Sequence, residues 1–126
     1  MNIQLGEAEE HFLNLIWENE PISSMDLVDL CKKEMNWTKA TTFTVIRRLC
    51  SKEIIENVNS VVRSRLSRAE LQALRSEKFI EKNFDSSLPA FLVSFVSRQK
   101  LSREDIDRIR ELIDSIGKDT KDGDRK

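Results

Sequence analysis

The chain has 126 residues, 34% of them charged and 39% hydrophobic, enough for one compact domain or a small domain with an accessory segment. No apolar run approaches the ~20 residues that a membrane helix needs. The start, Met-Asn-Ile-Gln-Leu-Gly-Glu, has no basic stretch followed by an apolar one, so no export signal is visible and the expected compartment is the cytoplasm. A net charge of −1 argues against nucleic acid only until it is divided: residues 1–36 carry −6, residues 37–68 carry +5 and residues 69–126 are neutral. Positive charge gathered in one segment is the footprint of a nucleic-acid surface.

A first helix is expected over 7–18, with Phe12, Leu13, Leu15, Ile16 and Trp17 as its apolar stripe, Gly6 before it and Asn19-Glu20-Pro21 ending it. Ser23 to Asp26 has the form of a capping box and opens a second helix over 24–34, whose apolar face is Met25, Leu27, Val28, Leu30 and Cys31. After the turn Met35-Asn36-Trp37, Thr38 caps a third helix, 38–52. At about 100° per residue it separates Thr42, Phe43, Val45, Ile46, Leu49 and Cys50 from an arc of Thr41, Thr44, Arg47, Arg48, Ser51 and Lys52, with Ala40 among them. The second arc has bases and hydroxyls and no acid. The period then falls to two in Ile54–Val58 and Val61–Leu66, with Asn59-Ser60 between them, which reads as a hairpin. Three helices followed by a hairpin, the third helix basic, describe a winged helix-turn-helix.

Ser67-Arg68-Ala69-Glu70 is a capping box for a fourth helix reaching about Asn83, and Phe84 to Ser87 breaks it. Leu88–Ser97 is a short apolar helix. Ser102 with Asp105 caps a last helix carrying Ile106, Ile109, Leu112, Ile113 and Ile116, which Gly117 is expected to stop, leaving a charged, disordered tail over 117–126. The fold class is therefore mainly α with a small β-hairpin, divided into a winged-helix domain, 1–67, and a helical domain, 68–116.

The candidate DNA-binding residues are Thr38, Lys39, Thr41, Thr42, Thr44, Arg47, Arg48 and Lys52 of the basic helix, with Arg63 and Arg65 of the wing. Arg and Lys on phosphates give salt-dependent affinity, while hydroxyls and forked guanidinium groups read base edges in the major groove. A solvated helix with clustered bases is the plain alternative, and Arg63 and Arg65 could simply guard an edge strand. The segment 88–116 is too apolar to stand in water. It either folds back on the winged core or pairs with a second copy, and the homodimer is favoured because it matches a palindromic site. The candidate dimerisation residues are Leu88, Phe91, Leu92, Phe95, Val96, Ile106, Ile109, Leu112 and Ile113.

Cys31 and Cys50 sit on apolar helical faces without a pairing or metal pattern, and His11 beside Glu7 and Glu10 reads as a helix-surface residue. There is no Gly-rich phosphate loop, nucleophile elbow or paired His and Cys, so no enzyme, cofactor or metal is expected.

The segments Leu5-Gly6-Glu7-Ala8-Glu9, Leu15-Ile16-Trp17, Trp37-Thr38 with Thr41, and Ile46-Arg47-Arg48-Leu49 resemble the penicillinase-repressor (BlaI/MecI/CopY) family of bacterial transcriptional repressors. So do Ser87-Leu88-Pro89-Ala90, Val93-Ser94-Phe95-Val96 and Leu101–Ile106. The resemblance implies a winged helix with a C-terminal helical dimerisation domain, bound to double-stranded operator DNA. It also implies a membrane sensor-protease pathway that releases repression by cutting in the dimerisation helices, with no membrane insertion of the repressor itself. The family's cut follows an Asn that precedes Phe; the aligned pair here is Ser94–Phe95, the candidate cleavage site. Ala40 and Phe43 stand where the antibiotic branch often has Lys and Arg, and the chain has no tyrosine for its wing, so a different operator is expected. The copper branch's C-terminal cysteine cluster is absent. The expected function is a dimeric DNA-binding repressor; the alternative is a winged helix that docks on a polymerase or a sensor protein through its acidic first third.

Overall fold

The computed structural model describes residues 3–123, with side chains as far as Lys118. Along the chain run α1 (Glu7–Asn19), β1 (Ile22–Ser23), α2 (Ser24–Met35), α3 (Lys39–Ser51), β2 (Ile55–Val58), β3 (Val61–Ser64), α4 (Arg68–Phe84), α5 (Leu88–Val96) and α6 (Arg103–Gly123). The chain forms two compact units, residues 1–79 and 80–126.

Short polar side chains set the helix starts by accepting from otherwise unpaired first-turn N–H groups. Ser23 accepts from Asp26 N–H at 3.0 Å, Thr38 from Thr41 at 3.1 Å, Ser87 from Ala90 at 3.1 Å and Ser102 from Asp105 at 3.0 Å. At α4 the capping box is reciprocal: Glu70 N–H donates to the Ser67 hydroxyl, and Ser67 N–H donates to the Glu70 carboxylate. α2 ends on Asn36 in the left-handed region, φ 55°, where a short amide side chain is tolerated.

The first unit is a winged helix-turn-helix. Its core joins Phe12, Leu13 and Ile16 of α1, Leu27 and Cys31 of α2, and Ile46 and Leu49 of α3 to Ile54, Ile55 and Val62 of the hairpin. Each fully buried side chain of this size contributes about 1.5–3 kcal/mol. Leu71 of α4 is buried in the same core and Leu74 packs against it. The compact division therefore falls after Phe79, inside α4, rather than after Ser67 as expected. Trp17 ties α1 to the entry of α4: its Nε1–H donates to the Leu66 carbonyl at 2.8 Å, and the Arg68 guanidinium lies 5.0 Å from its ring centroid.

The sheet has three strands in the order β1-β3-β2, all neighbours antiparallel. The hairpin register sets Val58 opposite Val61 and Glu56 opposite Arg63 across a two-residue turn. Asn59 and Ser60 both have positive φ, 52° and 63°, the twist such turns require. β1, which the sequence did not suggest, is two residues that pair Ile22 with Val62 and Ser23 with Val61. It is extended by a side chain: the Glu20 carboxylate accepts both the N–H and the hydroxyl of Ser64, at 2.8–2.9 Å.

Two further expectations are corrected. Met25 belongs to no buried face; it is 49% exposed in the first turn of α2. Gly117 does not stop the last helix, which runs on to Gly123. A glycine ends a helix when a left-handed residue is needed there; no described glycine has positive φ, and within a helix it costs only about 1 kcal/mol against Ala. The expected disordered tail is thus helical over 117–123, and residues 124–126 lie outside the described residues.

In the second unit α5 and α6 bring together Phe91, Leu92, Phe95, Leu101 and Ile109 around a groove of about 390 Å³. Phe91 meets Phe84 edge-on at 5.6 Å and Phe95 at 6.1 Å. Yet none of residues 80–118 is buried.

Candidate nucleic-acid interface

α3 buries Thr42, Val45, Ile46 and Leu49, and half-buries Phe43 and Cys50. The helical repeat then sets Ala40, Thr44, Arg47 and Ser51 directly opposite the core, as an outward ridge. Thr41, Arg48 and Lys52 form one flank, toward the start of α1; Lys39 lies on the other. Lys39, Thr41, Thr44, Arg47 and Arg48 are exposed, as are Arg63 of β3 and Arg65 just beyond it. Val62 and Ser64 point to the inner side of the same strand, so the alternation expected of the wing is present.

Thr42 must be removed from the candidate DNA-binding residues. It is fully buried, and its hydroxyl donates to the Thr38 carbonyl at 3.0 Å. That bond satisfies the hydroxyl inside the core, where residue type alone cannot distinguish a reader from a back-bonded threonine. Beneath it, burial pushes the Cys31 thiol up to about 11, against the lowering effect of its hydrogen bond with Thr42. Cys50 is half-buried and its thiol is also raised, chiefly by burial; both cysteines are free. His11 is exposed on α1, and no group of three or more metal-capable side chains occurs among the described residues.

The hydroxyls of the ridge and flank are already wired. Thr38 and Thr41 hydroxyls share a hydrogen bond at 3.0 Å, and Thr44 donates to the Ala40 carbonyl at 2.9 Å. Arg47 Nη2 reaches Thr44 Oγ1 at 3.5 Å.

The flank cations are held from outside the helix-turn-helix. Arg48 Nη1 donates to Glu9 Oε2 at 3.2 Å, while Glu9 Oε1 accepts the Gly6 N–H at 3.1 Å. Lys52 Nζ donates to the Gln4 carbonyl at 2.8 Å. Burial alone would raise the Glu9 carboxyl; the Gly6 N–H, Arg48 and the charge of Lys52 outweigh it and hold it below its ordinary range. Sequence reading missed Glu9 and Gln4 because the partners are 39 and 48 residues apart.

Of the expected dimerisation residues, Leu88, Phe95, Val96, Leu112 and Ile113 are exposed, and Phe91, Leu92, Ile106 and Ile109 are half-buried. Ser94 and Phe95 are exposed within α5, where the Ser94 carbonyl accepts the Ser97 hydroxyl at 2.6 Å. Among the described residues no helix is long and apolar enough to cross a membrane.

Comparison with known proteins gives a consistent picture. The methicillin resistance regulatory protein MecI of Staphylococcus aureus (strain Mu50 / ATCC 700699) is 24% identical over 114 residues, covering 87% of this chain and 93% of that protein. A penicillinase repressor of Staphylococcus aureus is 22% identical over 120 residues, covering 92% and 95%. The penicillinase repressor of Bacillus licheniformis is 19% identical over 115 residues, covering 88% and 90%. The family model described as penicillinase repressor matches residues 5–115. With that match over most of its length, from α1 into α6, the chain belongs to the penicillinase repressor family, a family of transcriptional repressors and not of enzymes.

Proposed function

We propose that this protein is a dimeric repressor that lays α3 in the major groove of a palindromic operator and sets Arg63 and Arg65 of the wing against the adjoining backbone. The observation that carries the reading is the outer surface of α3. Its ridge and flanks hold Lys39, Arg47, Arg48 and Lys52 without one acidic side chain from Thr38 to Lys52, in a chain of 22 acids and 21 bases. Ordinary solvated helices mix the signs.

The homodimer is supported by the second unit. Among the described residues, seven of the ten exposed large hydrophobic residues lie there, and none of residues 80–118 is buried, an apolar surface that a partner's matching face would cover. The relatives' names point to genes for a penicillinase or for methicillin resistance as the class of target. Ala40 and the half-buried Phe43 support an operator of this protein's own, read by Thr41, Thr44 and Arg47. Release through a sensor-protease pathway would act at Ser94–Phe95, on α5, and the protein itself works in the cytoplasm.

Selection of bound fragments from the source genome tests DNA binding and names the target together. On the selected fragment, Arg63→Ala should weaken binding and reduce the slope of log affinity against log salt by about 0.9, the value for one phosphate no longer neutralised. A protein that selects no fragment and passes through heparin at low salt would instead be a protein-interaction module.

A further inference from the structure

We propose that Glu9 is a positioning residue for DNA binding: it holds Arg48, and with it the Arg48–Lys52 flank of α3, in the orientation that meets a phosphate. The inference rests on the DNA-binding reading above and assigns a task to a carboxylate that lies on α1, outside the helix-turn-helix.

The geometry favours orientation over neutralisation. Glu9 is held at both oxygens, one by the Gly6 N–H and the other by Arg48, and its side chain keeps only 15% of its exposed surface. Arg48 keeps 51%, and its bond to Glu9 uses one nitrogen of the guanidinium. A guanidinium offers five donors in a rigid plane, so one edge can be fixed while the other still faces an anion; an ammonium has no second edge to offer in this way. Lys52 is anchored differently. Its partner is the neutral Gln4 carbonyl, so its full charge remains, and Gln4 belongs to the segment that Glu9 pins through Gly6. Two cations and one carboxylate leave the flank with a positive charge and with its long side chains already ordered. Ordering them in the free protein removes a cost that binding would otherwise bear.

Non-specific phosphate binding suffices for the test, because it does not depend on base sequence. The full-length protein is titrated onto a mixed-sequence 30-base-pair duplex by fluorescence anisotropy at several salt concentrations. Glu9→Gln keeps an acceptor for Gly6 and removes the ion pair. Although it makes the protein more positive, it should bind about three- to tenfold more weakly, the equivalent of one long side chain left to be ordered on binding. Arg48→Lys should lose a similar factor, since an ammonium on a flexible stem lacks the rigid planar fork that keeps one edge on Glu9 and aims the other at a phosphate. The double variant should be no weaker than the worse single one, because both changes break the same unit. Binding by Glu9→Gln that is unchanged or tighter overturns the proposal, as does simple additivity in the double variant. Lys39→Ala, on the opposite flank of α3 and outside the brace, separates the two levels: if it too leaves affinity and salt dependence unchanged, DNA binding through α3 is wrong, whereas if it alone weakens binding only the role of Glu9 falls.

Discussion

Ile113→Ala gives the sharpest test of how the second unit is held. Ile113 is 52% exposed on α6, in a unit that has no buried side chain over residues 80–118. The substitution removes three carbons, each contributing about 0.8 kcal/mol when fully buried. Only about half of that burial remains to be gained on association, because the other half of the side chain is already covered within the protomer. A two-fold dimer contains the residue twice, so the loss comes to roughly 2.5 kcal/mol per dimer, a weakening of the dimer Kd by about 60- to 70-fold. Sedimentation equilibrium over a wide concentration range measures this directly. Val58→Ala is the matched control: Val58 is 54% exposed, but it lies at the wing, so its Kd should equal that of the unchanged protein. If Ile113→Ala shifted the Kd by less than about threefold, or if the unchanged protein sedimented as a monomer throughout, α6 would not be a dimer face.

Four other outcomes follow from the first unit. Thr42→Ala should destabilise the protein by about 1–3 kcal/mol in urea titration, through loss of a buried hydrogen bond and a small cavity, while leaving the salt slope of DNA binding unchanged. Trp17→Phe removes the Nε1–H bond to the Leu66 carbonyl and weakens the stack with Arg68; urea titration should show a loss of about 1–2 kcal/mol. Because the Glu9 carboxyl lies below its ordinary 4.5 in the folded state, its contribution is complete above that value and disappears as pH falls through the folded one. Stability measured from roughly pH 6 down to roughly pH 3 should therefore fall less steeply in Glu9→Gln. Finally, Cys31, fully buried and with its thiol raised to about 11, should resist alkylation at neutral pH until the chain is unfolded.

The architecture was legible where local rules decide it. Ser23, Thr38, Ser67 and Ser102 mark helix starts because a short side chain must satisfy the first N–H groups, whatever the rest of the fold does. The change from a period of 3.6 to a period of two marked the wing in the same way. What escaped the sequence depends on distant partners. β1 is too short to show a period and exists because β3 offers Val61 and Val62 an open edge. Thr42 looks like its neighbours Thr41 and Thr44; only the direction of the core separates a buried threonine from an exposed one. Arg48 and Lys52 looked free because Glu9 and Gln4 reach them across three helices of sequence. Gly117 was misleading for the opposite reason: a local stop signal yields when the residues on both sides favour the helix.

The bond from Thr44 to the Ala40 carbonyl has a consequence in hydrogen-bond polarity. While the hydroxyl proton is spent on the backbone, Thr44 faces outward as an acceptor alone, one turn from an Arg47 that can only donate. Along the ridge the helix therefore carries a sign pattern written in protons rather than charges. An acceptor at Thr44 suits an exocyclic amino group, as on adenine or cytosine, and a forked donor at Arg47 suits the paired acceptors of guanine. Exchanging Thr44 for valine would erase half of that pattern and leave the shape of the helix as it was.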